Sequence, residues 1–336
     1  MLDSMRGKCV RWSLGSLLAC VCAPVWAAGA DGELVVQFDS WSLSAEDTEL
    51  DFAVVEPPGG TLQTLEHGRS QTPRFYAGWR FGSASGPELG MSVWEYDDSD
   101  AKIVPPMPDM IGTLLASPSM PIEEIVDSAE ANGDARATAV DLDVRWRHGL
   151  GESSRLVLRA GLRLFRFEGR SVATYLDQEM DFFGATLDFA EFVNTTGDAS
   201  GVGPRVGIEL EHDFSRRFSL GAGAGVSLPV GDIEGLTTET VTVDDDGPGG
   251  QNPSLAGANV VERPETSESF LQLDAALRFE AKLGRGWTAL VGYAFEHWEG
   301  VQLQPRLVEG QSGTVLVLEE TDVDFHGASL GIRLEF

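Results

Sequence analysis

The feature that most restricts the fold is a strict two-residue alternation along residues 201–230. Val206, Ile208 and Leu210 alternate with charged residues and glycine, and after a short turn at 213–217 apolar residues alternate with glycine and serine. Successive residues of a β-strand point to opposite sides of a sheet, so each arm has one apolar face and one polar or small face. In a water-soluble sheet a second apolar layer covers the apolar face, whereas in a membrane barrel lipid covers it and the other face lines the lumen.

Residues 155–164 favour the barrel. Arg155, Arg159 and Arg163 share one face of the predicted strand, and the opposite face is aliphatic throughout: Leu156, Leu158, Ala160, Leu162 and Leu164. Three arginines on one face do not suit the interior of an ordinary sandwich, because a buried charge requires a partner. The preceding segment, 137–148, shows the same division, and its polar face carries Asp141, Asp143, Arg145 and Arg147.

Ten segments show this alternation, and they are joined in turn by short turns and by long connections rich in Pro, Gly and Asp. They occupy residues 34–43, 74–81, 88–96, 137–148, 155–164, 201–212, 218–228, 270–283, 287–298 and 323–336. The sequence therefore predicts an all-β fold, a transmembrane antiparallel up-and-down β-barrel of about ten strands, with long extracellular loops and short periplasmic turns. Roughly eight to twelve strands fit the pattern, since residues 180–193 could add a hairpin and make twelve. No segment approaches the roughly 20 apolar residues that a membrane helix needs.

The chain is strongly acidic, with a formal net charge of −29. The acid is concentrated in the five long connections, at residues 45–71, 97–135, 169–199, 231–265 and 299–322. Nucleic-acid partners need basic surfaces, so this composition excludes them. The uneven charge predicts acidic loops on one side of the membrane.

Residues 1–27 have the features of a secretory signal peptide. Arg6, Lys8 and Arg11 precede a short apolar stretch at 13–21, and small residues allow cleavage before Ala28. The predicted barrel domain is therefore 28–336. An alternative is a lipoprotein site that ends at Cys20. All three cysteines lie before residue 28, so ordinary cleavage leaves no disulfide or thiol chemistry.

Three stretches carry a family resemblance: GVGPRVGIELEHDF at 201–214, GYAFEHW at 292–298 and DFHGASLGIRLEF at 324–336. They resemble the Legionella major outer-membrane-protein-like family of pore-forming outer-membrane β-barrels. The resemblance implies a location in the cell outer membrane and a pore or adhesin role, and it supplies no catalytic residues. The terminal Phe336 also resembles the C-terminal aromatic signal that barrel-assembly machinery recognises.

Several short motifs have alternative explanations without chemistry. Residues 327–331 match the hydrolase pattern G-x-S-x-G, but that motif requires a helix after the turn and here lies within a strand. Asp324 and His326 could form part of a barrel hydrolase, although a histidine near the rim is more commonly just solvated. The acidic runs at 97–100 and 244–247 could bind calcium, but calcium loops space their ligands more widely. The five histidines show no metal-ligand spacing. We therefore predict no enzyme activity, no cofactor and no metal site.

The predicted lumen-facing charges are Asp141, Asp143, Arg145, Arg147, Arg155, Arg159, Arg163, Glu209 and Glu211. They have two interpretations: internal neutralisation, or a charged constriction that selects solutes. A barrel of about ten strands should leave only a narrow lumen.

The predicted function is a narrow porin-like pore for small solutes or ions. The alternative is a non-conducting surface barrel whose acidic loops bind partners or divalent cations. The expected partners are outer-membrane lipid and lipopolysaccharide, the barrel-assembly machinery, and small solutes or ions. The oligomeric state does not follow from the sequence.

Overall fold

The computed structural model describes residues 32–46, 48, 50–55, 61–65, 67–82, 86–106, 111–115, 125–182, 185–245, 254–310 and 313–336. Within this part of the chain every regular element is a β-strand. Among the residues described, no helix has the length and apolar content needed to cross a membrane. The predicted signal peptide, the three cysteines, and Asp246 and Gly247 of the second acidic run lie outside the described residues.

The described residues form sixteen strands, numbered here in chain order. They are β1 (Gly32–Glu46), β2 (Leu50–Val55), β3 (Thr61–Leu65), β4 (Arg69–Phe81), β5 (Glu88–Val104), β6 (Ile111–Thr113), β7 (Ile125–Val126), β8 (Ser128–Gly149), β9 (Ser154–Phe182), β10 (Ala185–Asp213), β11 (Phe218–Ser227), β12 (Val230–Asp245), β13 (Ser254–Ser269), β14 (Gln272–Gly284), β15 (Trp287–Gly310) and β16 (Gly313–Glu335).

Ten of these strands close into one antiparallel ring. The order is β1, β4, β5, β8, β9, β10, β11, β14, β15 and β16, and β16 pairs with β1 to complete it. A closed ring leaves no unpaired sheet edge, as the interior of a membrane requires. The prediction of an antiparallel up-and-down barrel of about ten strands is confirmed.

Strands β12 and β13 continue β11 and β14 away from the short turns. One break lies at Leu228 and Pro229, where proline has no N–H to donate to the ladder, and the other lies at Phe270 and Leu271. Beyond the breaks β10 pairs with β12, and β12 pairs with β13. Residues 180–193 add no further membrane-crossing pair, because they form the tips of β9 and β10, where Phe182 pairs with Ala185.

The acidic connections contain long stretches of strand where the sequence predicted loops. Strand β9 continues to Phe182, and β15 pairs with β16 as far as Gly310 and Gly313. Their sequences keep an alternating, β-branched pattern, such as LTTETVTV at 236–243, and such residues favour a pleated sheet. A separate four-stranded sheet, in the order β3, β2, β6, β7, packs among them.

The short turns, the start of β1 and the end of β16 lie at the opposite end of the ring. Gly284, Arg285 and Gly286 form one turn with φ values of 92°, 53° and 81°, a left-handed conformation in which glycine is favoured. Leu34 and Phe336 exchange backbone hydrogen bonds of 3.3 and 2.9 Å.

An apolar band surrounds the outside of the ring. Leu162 is 48% exposed and Ile208 is 48% exposed, as lipid-facing residues should be. The last apolar row toward the acidic end consists of Leu164, Val202 and Val230, which pair with one another across β9, β10 and β12. We call the parts of these and neighbouring strands beyond this row the projecting strands.

Candidate functional site: the barrel interior

The structure places all nine predicted charges on the inward faces of β8, β9 and β10. Arg163 lies at the centre of the interior and is fully buried. Its Nε donates to Asp141 Oδ1 at 2.6 Å, and its Nη1 donates to Glu296 Oε2 at 2.9 Å on strand β15. Arg205 of β10 also contacts Asp141 and donates to Asp274 Oδ1 at 2.8 Å. Charges removed from water in this way are tolerated only when each has well-placed partners.

Glu88 organises the interior near the short turns. It is fully buried and accepts hydrogen bonds from Arg80 Nε at 3.1 Å, from Arg147 Nη1 at 2.8 Å and from the Tyr76 hydroxyl. The Arg145 guanidinium lies over the Tyr76 ring, 4.3 Å from its centroid. This cation–π contact compensates part of the cost of burying that arginine.

The remaining predicted charges also have partners of opposite sign. The pairs are Arg155 with Glu211 at 3.2 Å, Glu209 with Arg278 at 2.6 Å, Asp143 with Arg205 at 3.6 Å, and Arg159 with Asp274. Together these pairs form an interior ion network. This arrangement is the one expected if the predicted charges neutralise one another inside the barrel. Whether any of them selects solutes stays a prediction.

The network also has members beyond the nine predicted charges: Glu88, Arg205, Asp274, Arg278, Glu280 and Glu296. The signal for them was present in the sequence. Along β14, Arg278 follows Asp274 by four positions and Glu280 follows Arg278 by two, so all three lie on one face of the strand. The exposed Leu277 and Phe279 lie between them on the opposite face. The alternation along β14 therefore indicates that all three face the interior, as the alternation along β9 does for its arginines.

A layer of aromatic side chains closes the interior on the outer side of the charges. Trp94 and Trp298 are buried with ring centroids 5.4 Å apart, and Phe325 lies 5.5 and 5.3 Å from them. Phe165 lies 5.5 Å from Trp298. Aromatic rings at these distances are in direct contact. Because they come from strands on opposite sides of the ring, the layer spans the bore.

Beyond the aromatic layer the two walls of the barrel meet. Gly197 and Gly235 pair with each other across β10 and β12, and both face Leu303 of β15. A Cβ added to Gly197 would lie 3.2 Å from Leu303 Cβ, and one added to Gly235 would lie 2.5 Å from Leu303 Cδ1. Glycine at these positions allows the close approach of the walls.

A second apolar cluster fills the space enclosed by the projecting strands. Phe52, Ile111 and Tyr175 are buried in it, and the Tyr175 hydroxyl donates to the Phe52 carbonyl at 2.6 Å. The described residues therefore fill the bore at three levels: aromatic layer, wall contact and second cluster. On the inner side of the aromatic layer a cavity of about 70 Å³ remains among the charges, lined by Arg74, Tyr76 and Arg145 among others.

The histidines near the rim take part in contacts on the outer wall. His297 Nδ1 lies 2.6 Å from Asp324 Oδ1, and His326 lies 2.7 Å from Glu46 and 2.6 Å from the Tyr293 hydroxyl. Asp324 thus bonds to β15, and His326 bonds to both β15 and β1, so the hydrogen bonds of this candidate hydrolase pair go to neighbouring strands.

The first acidic run has structural partners. Asp97 accepts from Arg136 at 2.8 Å, and Asp98 accepts from the Gly68 N–H at 2.7 Å. Among the described residues, no three histidine, cysteine or carboxylate side chains come together as a metal site.

A family model described as Legionella pneumophila major outer membrane protein precursor matches residues 45–332 of the chain. This range covers most of the sequence and confirms the resemblance seen in its second half. In a comparison with curated proteins, no sequence matches the chain.

Solved structures of outer-membrane barrels have a similar arrangement of strands at low identity. The outer membrane protease OmpT from Escherichia coli is 11% identical with a TM-score of 0.49, and the alignment covers 92% of this chain and 98% of that one. The toluene transporter TodX from P. putida is 7% identical with a TM-score of 0.34, covering 91% and 90%. Both scores lie below 0.5, so neither likeness bears on function.

Proposed function

The chain belongs to the family of the Legionella pneumophila major outer membrane protein precursor and is a β-barrel of the cell outer membrane, and from this premise we propose that it is a surface barrel with a closed lumen. The observation that carries the proposal is the contact of Leu303 with Gly197 and Gly235 beyond a complete aromatic layer. Strand number agrees with it, because barrels of about eight strands are filled by side chains and open channels need about 16 to 18.

The functional part of such a barrel is its projecting strands. Strand β9 continues sixteen residues past Arg166 to Phe182, which is about 50 Å measured along the strand. The second apolar cluster holds this part together, so it presents a stiff surface. The acid of the chain is concentrated there, and the described residues offer no preformed metal site. A partner with a basic surface fits such a face by charge complementarity.

Single-channel recording in a planar bilayer tests the closed lumen. Wild-type protein, shown to be folded by its shifted migration on an unheated SDS gel, should give no stepwise current. Leu303→Trp probes the wall contact, and Leu142→Ala, a change on the lipid face where Leu142 is 42% exposed, is the matched control. A reproducible wild-type conductance that Leu303→Trp reduces and Leu142→Ala preserves would overturn the proposal.

A binding measurement tests the surface role. Proteoliposomes that carry the barrel should bind polylysine, and the binding should weaken as salt rises above about 0.1 M, because exposed charges are then screened within roughly 10 Å. Proteoliposomes that carry the protein but bind no more polylysine than empty ones would contradict the acidic-surface role.

A gated pore is the second candidate, and the cavity of about 70 Å³ favours it. Its volume suits about two water molecules. The Nε atoms of Arg74 and Arg145 have no hydrogen-bond partner there among the described residues. If the aromatic layer and Leu303 moved aside, a passage lined by arginine would connect this cavity to the rim. Reversal potentials in a salt gradient test it: Arg159→Ala should shift an induced conductance toward cations, and unchanged selectivity would exclude these arginines as the filter.

A further inference from the structure

The cavity of about 70 Å³ on the inner side of the aromatic layer has more cationic than anionic side chains in its lining. We call it the arginine cavity. Five arginines and three carboxylates line it, which leaves a surplus of two positive charges. The arginines are Arg74, Arg145, Arg159, Arg205 and Arg278, and the carboxylates are Glu209, Asp274 and Glu296.

The three carboxylates of the lining are already neutralised by arginines. The pairs are Glu209 with Arg278 at 2.6 Å, Asp274 with Arg205 at 2.8 Å, and Glu296 with Arg163 at 2.9 Å. Two inward carboxylates outside the lining also have partners. Asp39, directly opposite Arg74, accepts a hydrogen bond from Gln37 at 2.6 Å, and Asp143 lies 3.6 Å from Arg205. The acid near the cavity therefore leaves part of its positive charge without a contacting partner.

Arg74 and Arg145 carry this unpaired charge. In the part of the chain that the structure describes, neither of them forms an ion pair or donates a hydrogen bond. Each guanidinium lies over an aromatic ring instead, Arg74 at 4.8 Å from the centroid of Trp41 and Arg145 at 4.3 Å from that of Tyr76. A cation–π contact uses the face of the guanidinium and leaves the N–H groups in its plane able to donate. Both groups are thus held in position with their donors available.

The unsatisfied polar atoms around the arginine cavity are all donors. Arg74, Arg145, Arg159 and Arg205 each have a buried Nε without a hydrogen-bond partner among the described residues, and Arg205 is only 2% exposed. Buried donors without an acceptor are costly to the folded state. A water molecule would accept from them, but it adds two O–H groups that need acceptors in turn, whereas an anion only accepts.

We propose that the arginine cavity binds a monatomic anion, such as chloride, through the N–H groups of Arg74, Arg145 and Arg205. Net charge, the excess of donors and size all fit this occupant. Room for about two water molecules accommodates one halide ion but not a larger tetrahedral oxyanion such as sulfate. A smaller cavity of about 20 Å³ shares Tyr76 and Arg145 with the arginine cavity and lies nearer the short turns, so we place the entry on that side.

The line width of the chloride NMR signal tests the site, with the purified full-length barrel in a non-ionic detergent. Chloride that exchanges with a protein site relaxes faster, so folded wild-type protein should broaden the signal more than the same protein after heat unfolding. Bromide should reverse the broadening by competition, and sulfate should not. Gluconate, an organic anion too large for the cavity, keeps the ionic strength constant throughout.

Arg74→Gln and Arg145→Gln should each weaken chloride binding by about tenfold or more, because each removes charge-assisted hydrogen bonds to the anion. Arg155→Gln is the matched control and should keep the wild-type affinity. Arg155 also faces inward and pairs with Glu211 at 3.2 Å, but it does not line the arginine cavity. Migration on unheated SDS gels verifies that each variant is folded.

Broadening no greater than that given by the unfolded chain would overturn the proposal and assign the cavity to water. Wild-type chloride affinity in folded Arg74→Gln and Arg145→Gln would also overturn it, and so would equal displacement by sulfate, which would show binding to exposed arginines. If neither variant folds, the competition between bromide and sulfate on wild-type protein decides. None of these measurements depends on whether the lumen conducts.

Discussion

Arg163 and Asp141 lie directly opposite each other on β9 and β8, with Arg163 Nε 2.6 Å from Asp141 Oδ1 and neither side chain more than 1% exposed. Directly opposed residues are the closest neighbours on a sheet face, so the register of the two strands fixes this ion pair. Glu296 on the far wall completes it at 2.9 Å. The network therefore ties opposite sides of the ring together through one guanidinium.

Arg163→Ala should lower the free energy of unfolding by about 3–5 kcal/mol, because it leaves buried carboxylates without their cation. Urea unfolding of the barrel in detergent measures this change. Arg306→Ala is the control and should leave the unfolding midpoint unchanged, since that arginine is exposed. Equal stability of the two variants would show that the interior charges are solvated rather than packed.

Leu303→Ala tests the contact between the walls. Removing the side chain opposite Gly235 should cost about 2–5 kcal/mol as a buried cavity opens. It should produce no conductance alone, because the aromatic layer remains. Leu303→Ala combined with Trp298→Ala should also produce no stepwise current, because the second apolar cluster still fills the space enclosed by the projecting strands. Current from the single variant would mean that the aromatic layer does not seal the bore.

The membrane-spanning fold followed from local sequence pattern because lipid imposes a strict period of two on every strand. Leu158 and Arg159, for example, must face opposite sides, and their identities show which side is which. The short turns followed from the same logic, since each lies between two alternating segments.

The closure of the bore did not follow from the sequence. Gly197 and Leu303 are 106 positions apart, and nothing in either segment indicates that they meet. Their contact depends on how far the walls bend, which is a property of the whole ring. The extent of the projecting strands did not follow either, because Pro, Gly and Asp in the connections indicate turns and interrupt the β-branched alternation beside them.

His67 should make the projecting strands less stable in mild acid. Its side chain is 5% exposed and its Nδ1 lies 3.8 Å from Asp98 Oδ2. Burial lowers the pKa of His67, and the charges of Asp98, Asp100 and Asp134 oppose that shift only in part. As the pH falls, His67 of the unfolded chain therefore takes up a proton before His67 of the folded chain does. The stability of the folded state associated with neutral His67 is complete above about pH 6.5, and it is lost as the pH falls toward the pKa of His67 in the folded state. The rate of proteolysis of the projecting strands, followed from about pH 7.5 to 5.5, measures this loss of stability. His67→Gln should reduce the pH dependence of that rate. An NMR titration that places the pKa above about 6.5 would contradict this sign.

Phe336 combines two roles that separate variants can distinguish. Its N–H donates to the Leu34 carbonyl at 2.9 Å, and this bond helps to close the barrel between β16 and β1. The residue is 67% exposed, on the outside of the barrel. Deleting Phe336 removes both its backbone hydrogen bonds and its phenyl group, whereas Phe336→Ala keeps the backbone and removes only the phenyl group. If the phenyl group is the signal for the assembly machinery, both variants should reduce the amount of heat-modifiable barrel in outer-membrane fractions. Phe336→Tyr should restore it, and Phe336→Ala should still refold in detergent, where no machinery acts. If Phe336→Ala accumulates like wild type while the deletion does not, the contribution of this residue is the closing hydrogen bonds alone.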